Sequence, residues 1–239
     1  MAPSSPFSSR SSLFRKEGGV ISAAHHSAMR RASWPVAQLT GVTLVGSGVQ
    51  NNDGILSGFT SSSYAKLPFF FTAGATSLEA VCRFTCNGWT SGWTDGGIWG
   101  CVGSTNAFTP FYLPNQKSYI SAYISSNGSS WDVSNPIDSP YVAYVSPIAG
   151  THLLKIVYSS SEGYRQYRFE NGDWTLCGSI ANTAAPYGSA TMQPHLGNNR
   201  GQSAPLNGSI DLNFTYLMRD GSLLWEGVAG AYRNVATMR

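Results

Sequence analysis

From residue 39 onward the chain is written in short runs of alternating or β-branched residues, each closed by a turn signal. The runs fall at 39–45, 64–71, 77–86, 97–102, 107–113, 118–125, 141–145, 151–158, 163–170, 173–178, 192–196, 208–218 and 222–227. Between them stand Asn52-Asp53-Gly54, Asn87-Gly88, Asp95-Gly96-Gly97, Asn127-Gly128, Asn171-Gly172 and Asp220-Gly221, combinations that tight turns favour. No helical pattern of ten or more residues interrupts the series, and no internal repeat is visible. About a dozen antiparallel strands in roughly 200 residues predict an all-β fold, a two-sheet antiparallel jelly-roll sandwich.

The clearest single element is YRQYRFENGDW, in which residues 164–170 alternate before Asn171-Gly172 turns the chain. The most regular stretch is GSIDLNFTYLMRDGSLLWEG, residues 208–227. There Ile210, Leu212, Phe214 and Tyr216 are expected on the core face, with Ser209, Asp211, Asn213 and Thr215 on the wet one. Asp220-Gly221 then turns the chain into a closing strand. Composition agrees with this reading. Charged residues make up 11 %, aromatics 13 %, and there are 26 glycines and 12 prolines, a poor supply for solvated helical faces.

Residues 1–35 read differently from 36–239. The leader is polar and Ser-rich, and predicts an extended arm with a short helical stretch near 21–32. Arg10, Arg15, Lys16, Arg30 and Arg31 lie within it, opposed only by Glu17. With Phe14 and Trp34 they are the candidate docking residues of an arm that orders on a partner. The remaining 204 residues hold 10 of the 15 basic and 11 of the 12 acidic residues, so the body is nearly neutral. A nucleic-acid partner is therefore not expected. No run of about 18 apolar residues exists, which argues against membrane insertion, and no apolar segment marks a secretory signal.

Four cysteines at 82, 86, 101 and 177 lack zinc-finger spacing. Cys82 and Cys86 are expected on one strand face with Leu78, Ala80 and Phe84, as buried free thiols. The sequons at Asn127, Asn207 and Asn213 fit chance in a chain rich in Ser, Thr and Asn. There is no Gly-x-Ser-x-Gly elbow for serine chemistry.

Residues 48–88, THLLKIVYSSSEGYRQYRFENGDW and NGSIDLNFTYLMRDGSLLWEG together resemble laminin-G-like, concanavalin A-like sandwich modules. The wording is similar to variants found in tail, fibre and other virion proteins of bacterial viruses. The resemblance covers roughly residues 39–230. It implies a virion structural protein, docked to other virion proteins by its arm, forming a homo-oligomer and binding host surface glycans. A purely structural cementing role is the alternative it leaves open. Glucanases on this fold carry clustered acids on one strand, and hydrolysis needs two carboxyl groups across one bond. Asp211 stands alone on its strand, and Glu170 and Asp173 flank a turn, so a non-enzyme is expected. Some members of the fold family bind calcium. QNNDG (50–54) and TDGG (94–97) supply suitable oxygens through Asn52, Asp53 and Asp95, which turns explain equally well.

For a sugar the outstanding stretch is NGWTSGWTDGGIWG, residues 87–100. Trp89, Trp93 and Trp99 offer rings on which sugar C–H faces stack, and Asp95 offers a hydroxyl partner. Trp131 and Asp132 in NGSSWDVSN extend the candidate set. The competing role for these tryptophans is closing the end of the core or a subunit interface.

Overall fold

The computed structural model describes residues 40–87, 96–102, 108–113, 120–133, 149–198 and 204–238. In chain order its first strands are β1 (Thr43–Val45), β2 (Gln50–Asn52), β3 (Ile55–Ser57), β4 (Tyr64–Lys66), β5 (Ser77–Cys86), β6 (Gly96–Val102) and β7 (Phe108–Leu113). They continue as β8 (Ser121–Ile124), β9 (Gly150–Ser159), β10 (Gly163–Glu170), β11 (Asp173–Ile180), β12 (Gln193–Leu196), β13 (Gly208–Arg219) and β14 (Ser222–Glu226). A six-residue helix, α1 (Ala231–Ala236), ends the described chain. Among the described residues, one sheet has the order β1-β4-β12-β6-β7-β8. The other runs β11-β10-β9-β5-β13-β3-β2, with β14 also on β13. Every pairing between these strands is antiparallel. The expected all-β, two-sheet antiparallel sandwich is therefore what the chain forms. The run expected at 141–145 lies outside the described residues.

Turn chemistry explains why the hairpins close where they do. Asp53-Gly54, Asn171-Gly172 and Asp220-Gly221 all have positive φ at both positions, between 50° and 84°. Two-residue hairpin turns that match strand twist need such a pair, and Asn or Asp followed by Gly adopts it at least cost. The first of these joins β2 to β3, a hairpin whose strands are only three residues each.

One core lies between the sheets. The eight-stranded sheet contributes Leu78, Ala80, Cys82, Phe84, Ile156, Tyr158, Tyr164, Ile210 and Leu212, and the six-stranded sheet contributes Ala65, Trp99, Phe111 and Leu196. Cys82 and Cys86 share the inner face of β5 as expected, and both are buried. Burial pushes the Cys82 thiol up to about 12, so it stays protonated and unreactive. A second cluster of Val81, Leu153, Tyr216 and Val235 covers the outer face, under α1. Glu226 carboxylate oxygens accept the N–H groups of Gly230 (2.9 Å) and Tyr232 (3.2 Å) at the start of this helix.

β13 departs from the simple alternation. Ile210 and Leu212 point inward, but the register against β5 shifts between Asp211 and Tyr216. Beyond the bulge Thr215 and Leu217 are buried, Phe214 is half-buried, and Tyr216 joins the outer cluster. Thr215 and Phe214 thus exchange the roles expected of them. Thr215 Oγ1 donates to the Asp211 carbonyl (2.8 Å) and accepts from Arg83 N–H (3.4 Å), restoring partners that the bulge removes. Asp211 forms an ion pair with Arg83 (3.4 Å), and the Arg83 guanidinium lies 4.6 Å over the Phe214 ring.

The β13–β14 turn is latched to the 72–77 segment. Asp220 Oδ1 accepts from Thr76 Oγ1 (2.7 Å), Thr76 N–H (2.8 Å) and Ser77 N–H (3.1 Å). Arg219 donates to the carbonyls of Thr72 (2.9 Å) and Ala73 (2.8 Å). The Thr76 hydroxyl, with the Ser77 and Thr76 N–H groups, holds the Asp220 carboxyl well below the usual aspartate range. A depressed folded pKa stabilises above the unfolded value, near about pH 4, and that contribution is lost as pH falls through the folded value. Asp220→Asn is therefore expected to lower the thermal midpoint at pH 7, with the gap from wild type closing progressively below pH 4. A gap independent of pH in thermal melts would refute the latch.

Gln166 is a local flaw in the core. It sits on the inner face of β10 opposite Ile156, fully buried, and among the described residues neither Nε2 nor Oε1 has a hydrogen-bond partner. An unsatisfied buried amide costs about 1–3 kcal/mol. Gln166→Met, similar in shape and apolar, should raise stability by about 1 kcal/mol or more in urea titrations. Unchanged or lowered stability would mean that the amide is satisfied.

Candidate functional site

The sandwich separates the six sugar-site candidates. Trp89, Trp93 and Asp95 lie outside the described residues. Trp99 does not belong to a surface site. It is 1 % exposed in β6, an interior strand of its sheet, and meets Trp225 edge-on at 5.9 Å with Phe111 at 6.3 Å. Its indole fills the core, which corrects the sugar-site assignment of this residue.

Trp131 and Asp132 are brought together on a built loop. The residues 125–133 leave β8, the last strand of its sheet among the described residues, where Ala122 and Ile124 point into the core and are fully buried. Tyr123, between them, faces outward and is half-buried. Trp131 packs against it in a T-shaped contact with centroids 5.3 Å apart and planes at 82°. Such a contact sets the edge of one ring against the face of the other.

The loop holds its shape through its own side chains. Asn127 Oδ1 accepts from Ser129 N–H (2.8 Å), Ser129 Oγ (2.9 Å) and Ser130 N–H (3.0 Å), while its Nδ2 donates to Ser130 Oγ (3.0 Å). Ser125 Oγ accepts from Gly128 N–H at 2.9 Å. Asp132 Oδ1 accepts from Ser126 N–H (2.8 Å) and Oδ2 from the Ser126 hydroxyl. Partial burial opposes ionisation of Asp132, but these Ser126 bonds outweigh it and hold the carboxyl below its usual range. The loop base is anchored where Ser125 C=O accepts from Tyr187 N–H (2.6 Å) and Val133 is buried. An aromatic pair, a carboxylate and a row of hydroxyl and amide groups thus stand together on β8 and the loop that follows it. Sequence reasoning missed Tyr123 and the roles of Ser126 and Asn127. The spacing SSNGSSWD carried the signal, since Asn and Ser two or three residues apart form Asx and Ser turns.

The other candidates resolve as follows. Asn52 ends β2, and Asp53 occupies the turn, its carbonyl accepting from Asn213 Nδ2 (3.0 Å) while Asn51 Oδ1 accepts from Gly54 N–H (3.0 Å). These contacts are those of a hairpin turn. No three His, Cys, Asp or Glu side chains converge among the described residues. The docking candidates Arg10, Phe14, Arg15, Lys16, Arg30, Arg31 and Trp34 lie outside the described residues. Several described carboxylates have structural partners: Glu79 accepts from the Tyr216 hydroxyl, Glu162 pairs with Arg165, and Glu170 pairs with Arg168. His195 is fully buried in β12, edge-on to Tyr64.

No protein-family model matches the chain, and no curated protein matches it in sequence. Among solved structures it is similar to domain 4 of AbnA, a GH43 extracellular arabinanase from Geobacillus stearothermophilus, in complex with arabinotriose. The identity is 12 % and the TM-score 0.43, over 83 % of this chain and 88 % of that one. The carbohydrate recognition domain of Emp46p, potassium-bound, is 12 % identical with a TM-score of 0.41, over 75 % and 88 % of the two chains. The native heptameric SAP-like pentraxin from Limulus polyphemus is 15 % identical with a TM-score of 0.40, over 79 % of each.

Proposed function

We propose that the sandwich is a non-enzymatic carbohydrate-binding module whose site centres on Trp131, Tyr123 and Asp132. The observation that carries this reading is the loop 125–133, where a half-buried indole is held on a second ring beside an ionised carboxylate. A sugar ring presents apolar C–H faces to the aromatics and hydroxyls to Asp132 and the serines. Because the loop is already ordered by its own hydrogen bonds, little conformational entropy is lost when a ligand arrives.

In the same reading, the basic arm of residues 1–35 docks the module to other virion proteins, and several copies together turn weak sites into avid attachment. What supports that setting is the charge asymmetry of the chain and its resemblance to virion sandwiches. The non-enzyme part is supported by the carboxylates of Glu79, Asp211 and Asp220, each bonded to a structural partner. The test is retention on immobilised glycans: wild type binds at least one, and a folded Trp131→Ala protein does not. Equal retention of the two proteins would end this reading and leave a purely structural module.

A further inference from the structure

A cleft of about 390 Å³ opens at the other end of the sandwich from loop 125–133. It lies where β3 and β5 end and β13 begins, lined by Ser57, Phe59, Asn87, Leu206, Asn207 and Gly208 among others. Its volume falls within the range of small-molecule sites, about 300–1,000 Å³. None of its described lining residues carries a charge. The polar side chains among the lining residues belong to Ser57, Asn87 and Asn207, and Phe59 is the aromatic one.

The cleft is held in shape by the sheet. Asn87 N–H donates to the Asn207 carbonyl at 2.9 Å, tying the two amide-bearing residues together, and Ser57 pairs with Ser209 of β13. Phe59 is 8 % exposed and belongs to the core. Its ring lies on Gly197 so closely that a Cβ there would fall 2.0 Å from it, and Gly197 has φ of +82°. Glycine is thus the only residue type at position 197 that lets Phe59 pack this close. Leu206 N–H donates to the Gly197 carbonyl at 3.0 Å, joining this contact to the cleft rim.

We propose that this cleft is a second saccharide site, one that takes a neutral, hydroxyl-rich sugar unit. Amides and a hydroxyl both donate and accept, as sugar hydroxyls do, and Phe59 supplies the apolar contact. An acidic or basic ligand finds no counter-charge among the described lining residues. The proposal extends the binding function argued above but does not rest on Trp131.

The two sites are far apart. Ile124, where loop 125–133 begins, lies opposite Phe108 at the start of β7, the end of the sheet at which antiparallel β6 finishes, whereas Gly97 at the start of β6 bridges to the cleft residue Pro205. The length of β6 separates the sites by on the order of 20 Å. A short oligosaccharide cannot fill both, so one module bridges two glycan chains.

The experiment uses the full-length 15N-labelled chain titrated with methyl α-glycosides of glucose, galactose and mannose, and with methyl glucuronide as the charged control. At least one neutral glycoside should shift amide resonances at 57–58, 87 and 206–208 in the millimolar range. Asn87→Trp, which fills the cleft, should weaken that response about tenfold or more. Asn87→Ala, with a smaller effect, guards against misfolding of the larger variant, and Trp131→Ala should leave the response unchanged. Shifts confined to residues 125–133 would overturn the second site and spare the first. A response to the glucuronide alone would overturn the neutral class, and no shift in either region would overturn both sites.

Discussion

Trp99→Ala is expected to lose about 3–5 kcal/mol of folding stability, the range for emptying a buried aromatic site. The indole sits between the sheets, edge-on to Trp225 and beside Phe111. Trp225 is itself fixed, since its Nε1–H donates to the Thr40 carbonyl at 3.0 Å. Neighbours locked in this way collapse poorly into the space left behind, which puts the loss towards the upper part of the range. A globular domain holds only about 5–15 kcal/mol in total, so this change alone takes the protein close to unfolding at 37 °C. Chemical denaturation of the variant measures it. A loss below about 1 kcal/mol is what an exposed tryptophan would give, and would return Trp99 to the surface.

Much of the fold was legible because its signals were long or chemically specific. The strand 77–86 and the hairpin 163–170/173–178, whose second strand runs on to Ile180, carry enough alternation, and enough Asn-Gly chemistry, to be read directly. The β2–β3 hairpin was read only as its turn, since three-residue strands are too short to show a period. The bulge in β13 was hidden for another reason. One extra residue reverses the phase of everything after it, and the only local hint is a Thr215 hydroxyl placed to serve Asp211 and Arg83.

The candidate site was legible in part, and the failure is instructive. Tryptophan density marked 87–100, but strand order decides which tryptophan is buried, and order is not written in local sequence. Trp99 lies on β6, flanked by β12 and β7, with Leu196 beside it across the ladder. Trp131 lies past the end of β8, the last strand of its sheet among the described residues, where a side chain can leave the core. The same residue type takes opposite roles because of where its strand falls in the sheet. The cleft at Asn87 and Asn207 had no sequence signal, since it is assembled from three separate strand ends.

Trp131 is the second large effect, and it acts on binding rather than on folding. Its indole is half-buried on Tyr123 at the surface of the loop, and the loop is held by Asn127, Ser125 and Asp132 rather than by the ring. Trp131→Ala is therefore expected to cost no more than about 1 kcal/mol of stability. An aromatic anchor at the centre of a small site contributes about 2 kcal/mol or more to binding, near thirtyfold in Kd. Trp131→Phe should recover part of it, because a ring face returns without the indole's area.

The most direct measurement is calorimetric or NMR titration of wild type and Trp131→Ala with a glycan that wild type retains, with thermal melts of both. The account predicts near-equal melting midpoints, a Kd at loop 125–133 weakened about thirtyfold or more in the variant, and partial rescue by Trp131→Phe. A folded Trp131→Ala protein that binds at that loop with wild-type affinity would contradict it.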